Sequence, residues 1–338
     1  MKFVCEKSAL IKEISIAQEV IVAKNPISVL SSIYLETADQ AIIIKSSDIK
    51  LNFMTKVPVS VLDAGKVTIK ADTLLSIISS LPEGEMEFET TDNKMIIRHS
   101  VGKKKIEYKP KVNIAEQYPD FPMPDDITFF ELQIKDFKTM IRQTIFSISD
   151  DETRFFMTGV YFEKVENKIV MVSTDGRRLA YIEQELETAI PDFEGIIIPE
   201  KILNVILKRS SDEGNVSIGI SKNHIFINFA SYNFSSVLIE GQFPNYRRVI
   251  PEDNNIKFVV NRVDVIDAIM RVSKMVEKKS KRVYFQFKKD VLIIYSEESD
   301  IGDAKEELFC EYDGDEISIA MNYHYIEESF KAMEEEKN

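Results

Sequence analysis

The chain has 338 residues, of which 44% are hydrophobic and 29% charged, with a formal net charge of −13. This composition can bury real cores, excludes a disordered chain, and at this length suits two or three domains. Acidity on this scale disfavours nonspecific nucleic-acid binding for the chain as a whole, although an average can hide a basic face. Cys5 and Cys310 lie too far apart for a metal motif or disulfide framework, so a reducing cytosol is expected. Met1-Lys2-Phe3-Val4 does not open a signal peptide, and no run approaches the roughly 20 apolar residues of a membrane span. His99, His224 and His324 are dispersed, which argues against a His-based metal site.

Residues 7–22 carry Leu10, Ile14, Ala17 and Ile21 at helical spacing, and Asn25-Pro26 breaks that helix. Strands are expected at 32–35, 41–45 and 66–69. Asp72 reads as the N-cap of a short helix holding Leu74, Leu75, Ile78 and Leu81, which Pro82 ends. More strands follow at 85–89, 94–99 and 105–108. Residues 118–124 contain three prolines and read as a linker. The order then begins again: a helix over 135–149, strands at 159–164 and 169–173, a helix over 199–209, and strands at 216–220, 224–229 and 232–239. Both segments close on one signature, Gln117-Tyr118-Pro119-Asp120-Phe121 and Gln242-Phe243-Pro244-Asn245-Tyr246, an internal repeat at domain scale. A third copy starts near Ile256, with a helix over 262–276 (Ile266, Ile269, Met270, Ser273), strands at 283–287, 291–295, 308–312 and 317–321, and a helix from Asn322 carrying Ile326, Phe330 and Met333. It stops at its second helix, where the earlier copies continue into strands.

Ser173-Thr174-Asp175-Gly176-Arg177-Arg178-Leu179-Ala180 stands at the middle of the chain. An Asp-Gly pair between strand-like runs signals a tight turn, because glycine accepts positive φ. Two arginines and a leucine then set a basic lip beside an apolar contact. Asp175, like Asp48, reads as a turn aspartate bonding its own backbone.

Charge is unevenly spread. Helix 135–149 has Lys135, Lys138 and Arg142 against Asp136; helix 199–209 has Lys201, Lys208 and Arg209 against Glu200; helix 262–276 has Arg262, Arg271 and Lys274 against two aspartates. Further basic spots are Lys24, Lys103-Lys104-Lys105, and Lys278-Lys279 with Lys281-Arg282. Ordinary solvated helix faces are one reading. The other is a phosphate-facing surface making salt-sensitive, sequence-independent DNA contacts. No Gly-rich phosphate loop, nucleophile elbow or acid-base pair occurs, so no catalytic reaction is indicated.

Several stretches carry a family resemblance: Asn25-Pro26-Ile27-Ser28-Val29-Leu30, Ser47-Asp48-Ile49, Asp151-Glu152-Thr153-Arg154, and above all Thr174–Ala180 and Phe243–Pro251. Over essentially its whole length the chain resembles the bacterial DNA polymerase III β subunit, the sliding-clamp family. The resemblance implies an α+β fold of three repeated domains, 1–124, 125–252 and 253–338, the last incomplete at its end. Antiparallel sheets would lie outside and two helices per domain inside, in a ring closed by a head-to-tail homodimer around double-stranded DNA. It implies a non-catalytic, cytoplasmic processivity factor without cofactor, metal or membrane partner. Its partners would be the DNA polymerase III α subunit, the clamp loader and other clamp-motif proteins. The family's peptide pocket maps onto Met157, Thr174, Gly176, Arg177, Arg178, Leu179, Pro244, Arg248, Val249, Asn322 and Tyr325. Arg177 stands where many members carry histidine or another residue, and Ser280 where an aromatic is usual. DNA-facing residues are expected at Lys24, Lys135, Lys138, Arg142, Lys201, Lys208, Arg209 and Arg271. Asp151 replaces a polar residue of a DNA-touching loop. The subunit interface would join Lys105, Ile106 and Tyr108 to Met275, Glu306 and Glu307. The short third copy leaves an alternative, a clamp-derived peptide-binding module unable to close a ring.

Overall fold

The computed structural model describes residues 1–22, 27–101, 104–113, 115–123, 127–277 and 279–334. The first repeat runs β1 (Lys2–Glu6), α1 (Lys7–Val20), β2 (Ser32–Ala38), β3 (Ala41–Ser47), β4 (Leu51–Pro58), β5 (Ser60–Asp63), β6 (Gly65–Lys70), α2 (Ala71–Ser80), β7 (Glu85–Thr91), β8 (Lys94–Val101), β9 (Lys104–Tyr108) and β10 (Val112–Asn113). The second runs β11 (Phe129–Gln133), α3 (Ile134–Arg142), β12 (Gly159–Val165), β13 (Lys168–Thr174), β14 (Leu179–Glu185), β15 (Ile196–Pro199), α4 (Glu200–Arg209), β16 (Asn215–Ile220), β17 (His224–Phe229) and β18 (Tyr232–Val237). The third runs β19 (Val259–Val260), α5 (Arg262–Val272), β20 (Arg282–Lys288), β21 (Val291–Tyr295), β22 (Lys305–Glu311), β23 (Ile317–Asn322) and α6 (Tyr323–Ala332).

Two compact units result. One comprises Met1–Thr139, Tyr161–Ile169 and Gln184–Gly241; the other comprises Met140–Val160, Val170–Glu183 and Gln242–Asn338. The first holds a five-stranded sheet, β5-β1-β7-β8-β9, and a nine-stranded sheet, β10-β6-β2-β3-β4-β18-β17-β16-β11. The nine strands come from two repeats. They are joined because β4 pairs antiparallel with β18, from Tyr232↔Thr55 to Ser236↔Leu51. Phe53 and Phe234 face each other at this seam, both fully buried, with ring centroids 5.0 Å apart; Tyr232 and Phe229 extend the cluster. Such directly opposed aromatic pairs stabilise a sheet beyond the area they bury.

α1 packs on β3 and β4 through Leu10, Ile14, Ile16, Ala17 and Val20. At the other end of the same sheet, Lys138 of α3 is only 6% exposed. Its ammonium donates to the Ser210 and Ser211 carbonyls at 3.1 and 3.5 Å and pairs with Asp212 at 2.5 Å. It thereby satisfies carbonyls at the C-terminus of α4, where a cation is favoured by the helix dipole. The expected DNA-facing role for Lys138 is corrected on this ground: its charge points inward.

Helix ends also differ from the sequence expectations. The helix expected over 135–149 stops at Arg142, and a 3₁₀ turn follows at Ile145–Ser147. The Thr144 hydroxyl donates back to the Met140 carbonyl at 2.8 Å, offering the backbone an alternative to the next helical bond. The expected helix over 262–276 likewise ends at Val272, with a 3₁₀ turn at Ser273–Met275. Its buried stripe is Val265, Ala268, Ile269 and Val272, packed on Val283, Phe285 and Ile294; Met270 is exposed. Apolar residues occur on both flanks of that helix, so periodicity alone could not orient it. Asp72 is not an N-cap. The flanking residue is Lys70, and Asp72 sits in the first turn, accepting from the Thr73 amide at 2.7 Å. Strands β4, β5, β10, β11, β15 and β19 were absent from the sequence reading. β4 hides because Asn52 and Thr55, buried at the seam, interrupt the apolar pattern.

The second unit holds the sheet β19-β22-β21-β20-β23, on which α5 packs, with Ile326 and Phe330 of α6 against the same core. A further four-stranded sheet runs β14-β13-β12-β15. In β13, Ile169 to Thr174 are all buried, as a strand covered on both faces requires. Among the described residues no helix is long and apolar enough to cross a membrane, and no group of three or more His, Cys, Asp or Glu is placed to hold a metal ion.

Replacing Lys138 by Met should lower unfolding stability in urea by about 1.5–3 kcal/mol, the range for hydrogen bonds to a charged group. Lys135→Ala, one turn-face away and exposed, should change it by less than about 0.5 kcal/mol.

Candidate functional site

Strand β13 delivers Thr174 to the four-residue loop Asp175–Arg178, which returns as β14. Asp175 Oδ1 accepts from the Arg177 and Arg178 amides at 2.9 and 3.0 Å. The Thr174 hydroxyl donates to the Arg178 carbonyl at 2.6 Å and accepts from the Gly176 amide at 3.0 Å. Gly176 has φ +84°, and a Cβ there would sit 2.9 Å from Arg154 Nη1. The positive φ is what favours glycine here, since the flexible end of Arg154 could move aside for a Cβ. Asp48 acts in the same way in its own loop, accepting from the Lys50 and Leu51 amides at 3.0 and 2.6 Å.

Arg178 is the hub of the loop. Nε donates to Asp175 Oδ2 at 3.1 Å, Nη1 to Glu328 Oε2 at 2.5 Å, and Nη2 to the Phe146 carbonyl at 2.6 Å. Its guanidinium also lies over the rings of Tyr325 and Phe146, at 4.5 and 5.4 Å. A planar fork with five donors suits this shared role, and a lysine could not reproduce it. The expected pocket residue Tyr325 and the loop are thus joined through one side chain. Asn322 caps α6, its side chain accepting from the His324 amide at 3.1 Å.

These groups line a polar cleft of about 480 Å³, with Arg154, Asp151, Arg177 and Lys281 around its rim. Arg154 Nε donates to Asp151 at 3.0 Å. The Asp151 carboxyl is held below the usual range by the Thr153 hydroxyl and amide, and then by Arg154. Of the expected pocket set, Arg177, Arg178, Asn322 and Tyr325 line this cleft. Met157 and Thr174 are buried; Thr174 holds the loop through its hydroxyl, and Met157 lies against Gly176. Leu179, Pro244, Arg248 and Val249 are not among the residues lining this cleft; Leu179 is half-buried, Arg248 exposed and Val249 66% exposed, and Tyr246 packs on Tyr181 at 5.8 Å. Ser280 is exposed and accepts from the Arg282 amide at 3.2 Å. The sequence reading missed Glu328 and Arg154. Tyr325 and Glu328 are three apart on α6, a spacing that places both on one helix face.

The basic set divides. Lys24, with Lys103 and Lys278, lies outside the described residues. Lys135 and Arg142 are exposed; Arg142 has Glu334 at 3.9 Å. Lys201 pairs with Asp48 at 2.5 Å, and Lys208 and Arg209 both bond Glu19. Arg271 bonds Glu306 at 2.5 and 2.9 Å, and that guanidinium holds the Glu306 carboxyl below its usual range.

Apart from Met275, which lies in the 3₁₀ turn Ser273–Met275, the expected interface residues fall on two sheet edges that are open among the described residues, each described within its own unit. β9, with Lys105, Ile106 and Tyr108, is the outer strand of its sheet and among the described residues pairs only with β8. β22 pairs with β21 along Lys305–Phe309, while β19 covers only Cys310 and Glu311. The Lys305–Phe309 edge is therefore open among the described residues, and Phe309 there is 70% exposed. Glu306 and Glu307 lie on this stretch, and Met275 is 37% exposed. Phe309 was not singled out in the sequence, because an alternating strand normally turns its aromatics inward.

The descriptions "DNA polymerase III beta subunit" for the N-terminal, central and C-terminal domains match residues 1–122, 131–245 and 247–338 in that order. The chain is 40% identical over 335 residues to the beta sliding clamp of Treponema pallidum, spanning 98% of this chain and 90% of that protein. It is 32% identical to the beta sliding clamp of Rickettsia felis, with the same two shares. The solved sliding clamp of Bartonella birtlesii, bound to griselimycin, superposes with a TM-score of 0.93 at 27% identity, over 100% of this chain and 91% of that one. Three domain matches in order and a relative aligned along nearly all of this chain show that it belongs to the DNA polymerase III β-subunit family, the sliding clamps.

Proposed function

We propose that two copies of the chain close head to tail into a ring around double-stranded DNA and hold replication proteins on it without catalysing a reaction. The observation that carries this reading is the pair of open edges on the first and third domains. The β9 edge presents Lys104 and Lys105, and the β22 edge presents Glu306 and Glu307 beside the exposed Phe309. Antiparallel addition of one edge to the other would satisfy both rows of backbone groups and cover Phe309. The charge pairs would set register more than affinity. Processivity then comes from topology, and the contacts with phosphate stay weak enough to slide. A protein working on the chromosome of a bacterium would act in the cytoplasm.

The Arg178 loop, the residues Leu179, Pro244 and Val249, and the cleft before α6 form the proposed docking site for short peptide segments of the DNA polymerase III α subunit, the clamp loader and other clamp-motif proteins. Leu179, Pro244 and Val249 would receive apolar anchors. Arg177 and Arg248, exposed at the rim, would contact backbone or acidic groups of the peptide. That the Bartonella birtlesii clamp holds griselimycin supports a ligand-accepting surface in this family.

Three outcomes are expected. Light scattering after size exclusion should give twice the chain mass at micromolar concentration, and Phe309→Asp should shift it to a single chain; a monomeric unsubstituted protein would refute the ring. Protein loaded on nicked circular DNA should be lost when the circle is linearised, whereas equal retention on both forms would refute sliding. Leu179→Ala or Arg248→Ala should weaken binding of a peptide from the polymerase α subunit about tenfold at unchanged melting temperature, while Arg178→Ala should lower both affinity and melting temperature, because it removes the hub of the loop. Unchanged affinity in all three would refute the site.

A further inference from the structure

The cations of α4 are all answered by acceptors from the first repeat. Lys201 donates to the Val20 carbonyl at 2.6 Å and to Asp48 at 2.5 Å. Arg209 bonds Glu19 through Nε at 2.9 Å and through Nη2, and donates to Ser15 Oγ at 3.1 Å. Lys208 bonds the same Glu19 carboxylate. Burial separates the two cations that share it. The Arg209 side chain is 15% exposed, whereas that of Lys208 is 64% exposed. Arg209 is thus an inward tie between α4 and α1. Lys208 is a surface cation whose charge is matched by a carboxylate held in place by that tie.

A carboxylate oxygen offers an ammonium the same formal charge and the same kind of hydrogen-bond acceptor as a phosphate oxygen. A phosphate approaching Lys208 must displace Glu19, and the displaced carboxylate stays nearby as a like charge. Burial pushes the Glu19 carboxyl up, but the bonds from Arg209 and Lys208 outweigh this and hold it below its usual value, so it remains ionised and in competition near neutral pH. We infer that Glu19 is an intramolecular counter-ion that competes with DNA phosphate for Lys208 and so limits the grip of α4 on the duplex. This rests on the reading that the helices face DNA. It adds a residue that weakens contact, placed where a sliding ring needs weak contact.

The test is the salt dependence of binding to a labelled duplex between 50 and 200 mM KCl. Neutralising one more phosphate steepens the slope of log K against log salt by about 0.9. Glu19→Gln keeps the side-chain shape and an acceptor for Arg209. It should bind more tightly at low salt, with a slope steeper by about 0.9. Lys208→Ala alone should match the unsubstituted protein, because that lysine is already spent. Glu19→Gln with Lys208→Ala should return to the unsubstituted slope. An unchanged slope for Glu19→Gln would overturn the inference, as would a double variant that keeps the full gain, which would mark a general loss of negative charge. Lys208 is exposed and its removal leaves the fold intact, so a slope shallower by about 0.9 for Lys208→Ala alone would also overturn it. If no variant, Glu19→Gln included, binds duplex even at 50 mM KCl, the inference is overturned, because a freed Lys208 adds no phosphate contact; the ring reading is judged separately, by retention on circular against linearised DNA.

Discussion

The pairing of β4 with β18 is the interaction on which much of the first unit depends. It turns two repeats, each with its own short sheet, into a single nine-stranded sheet. Two exposed strand edges would otherwise remain, each with unsatisfied backbone groups. The seam also sets helix positions. With α1 packed on β3 and β4, the end of α1 meets α4, and Glu19 comes within reach of Arg209. The polar residues at the seam show how specific this join is. Thr55 is fully buried and donates to the Ser231 carbonyl at 3.1 Å, so the register that aligns Phe53 with Phe234 also satisfies a hydroxyl.

Charge in this protein works at two depths. The helix cations looked in the sequence like one class, a row of solvated lysines and arginines. In the fold, Lys138 serves the end of α4, Lys201 serves the end of α1, and Arg209 ties the two helices. Lys135 and Arg142 keep open exposure. Net charge per helix therefore overstates what a phosphate meets. A carboxylate distant in sequence, such as Glu19 at 190 positions from Arg209, decides whether a cation is available.

Much of the architecture was legible, because amphipathic helices and alternating strands leave a periodic mark. The repeated Gln-aromatic-Pro signature set the second copy, and Asp175 with Gly176 located the loop that Arg178 organises. What stayed hidden has identifiable causes. Thr144 ends a helix by bonding backward, which composition does not show. β4 carries polar residues inside because its neighbour is another repeat. Phe309 breaks the inward rule at an open edge. Glu328 became part of the site only when α6 brought it to Arg178, a distance of 150 positions along the chain.

Arg178 closes a thermodynamic cycle. One guanidinium is bonded to the loop through Asp175 and to α6 through Glu328 and Tyr325. The ordering of the loop and the seating of α6 are therefore coupled through this side chain. To the extent of that coupling, a ligand that favours the ordered loop favours the seated helix, and a helix worked loose weakens the ligand by the same coupling free energy. Occupancy of the proposed docking surface would thus be felt in the seating of α6, the helix that supplies Tyr325 to the cleft wall.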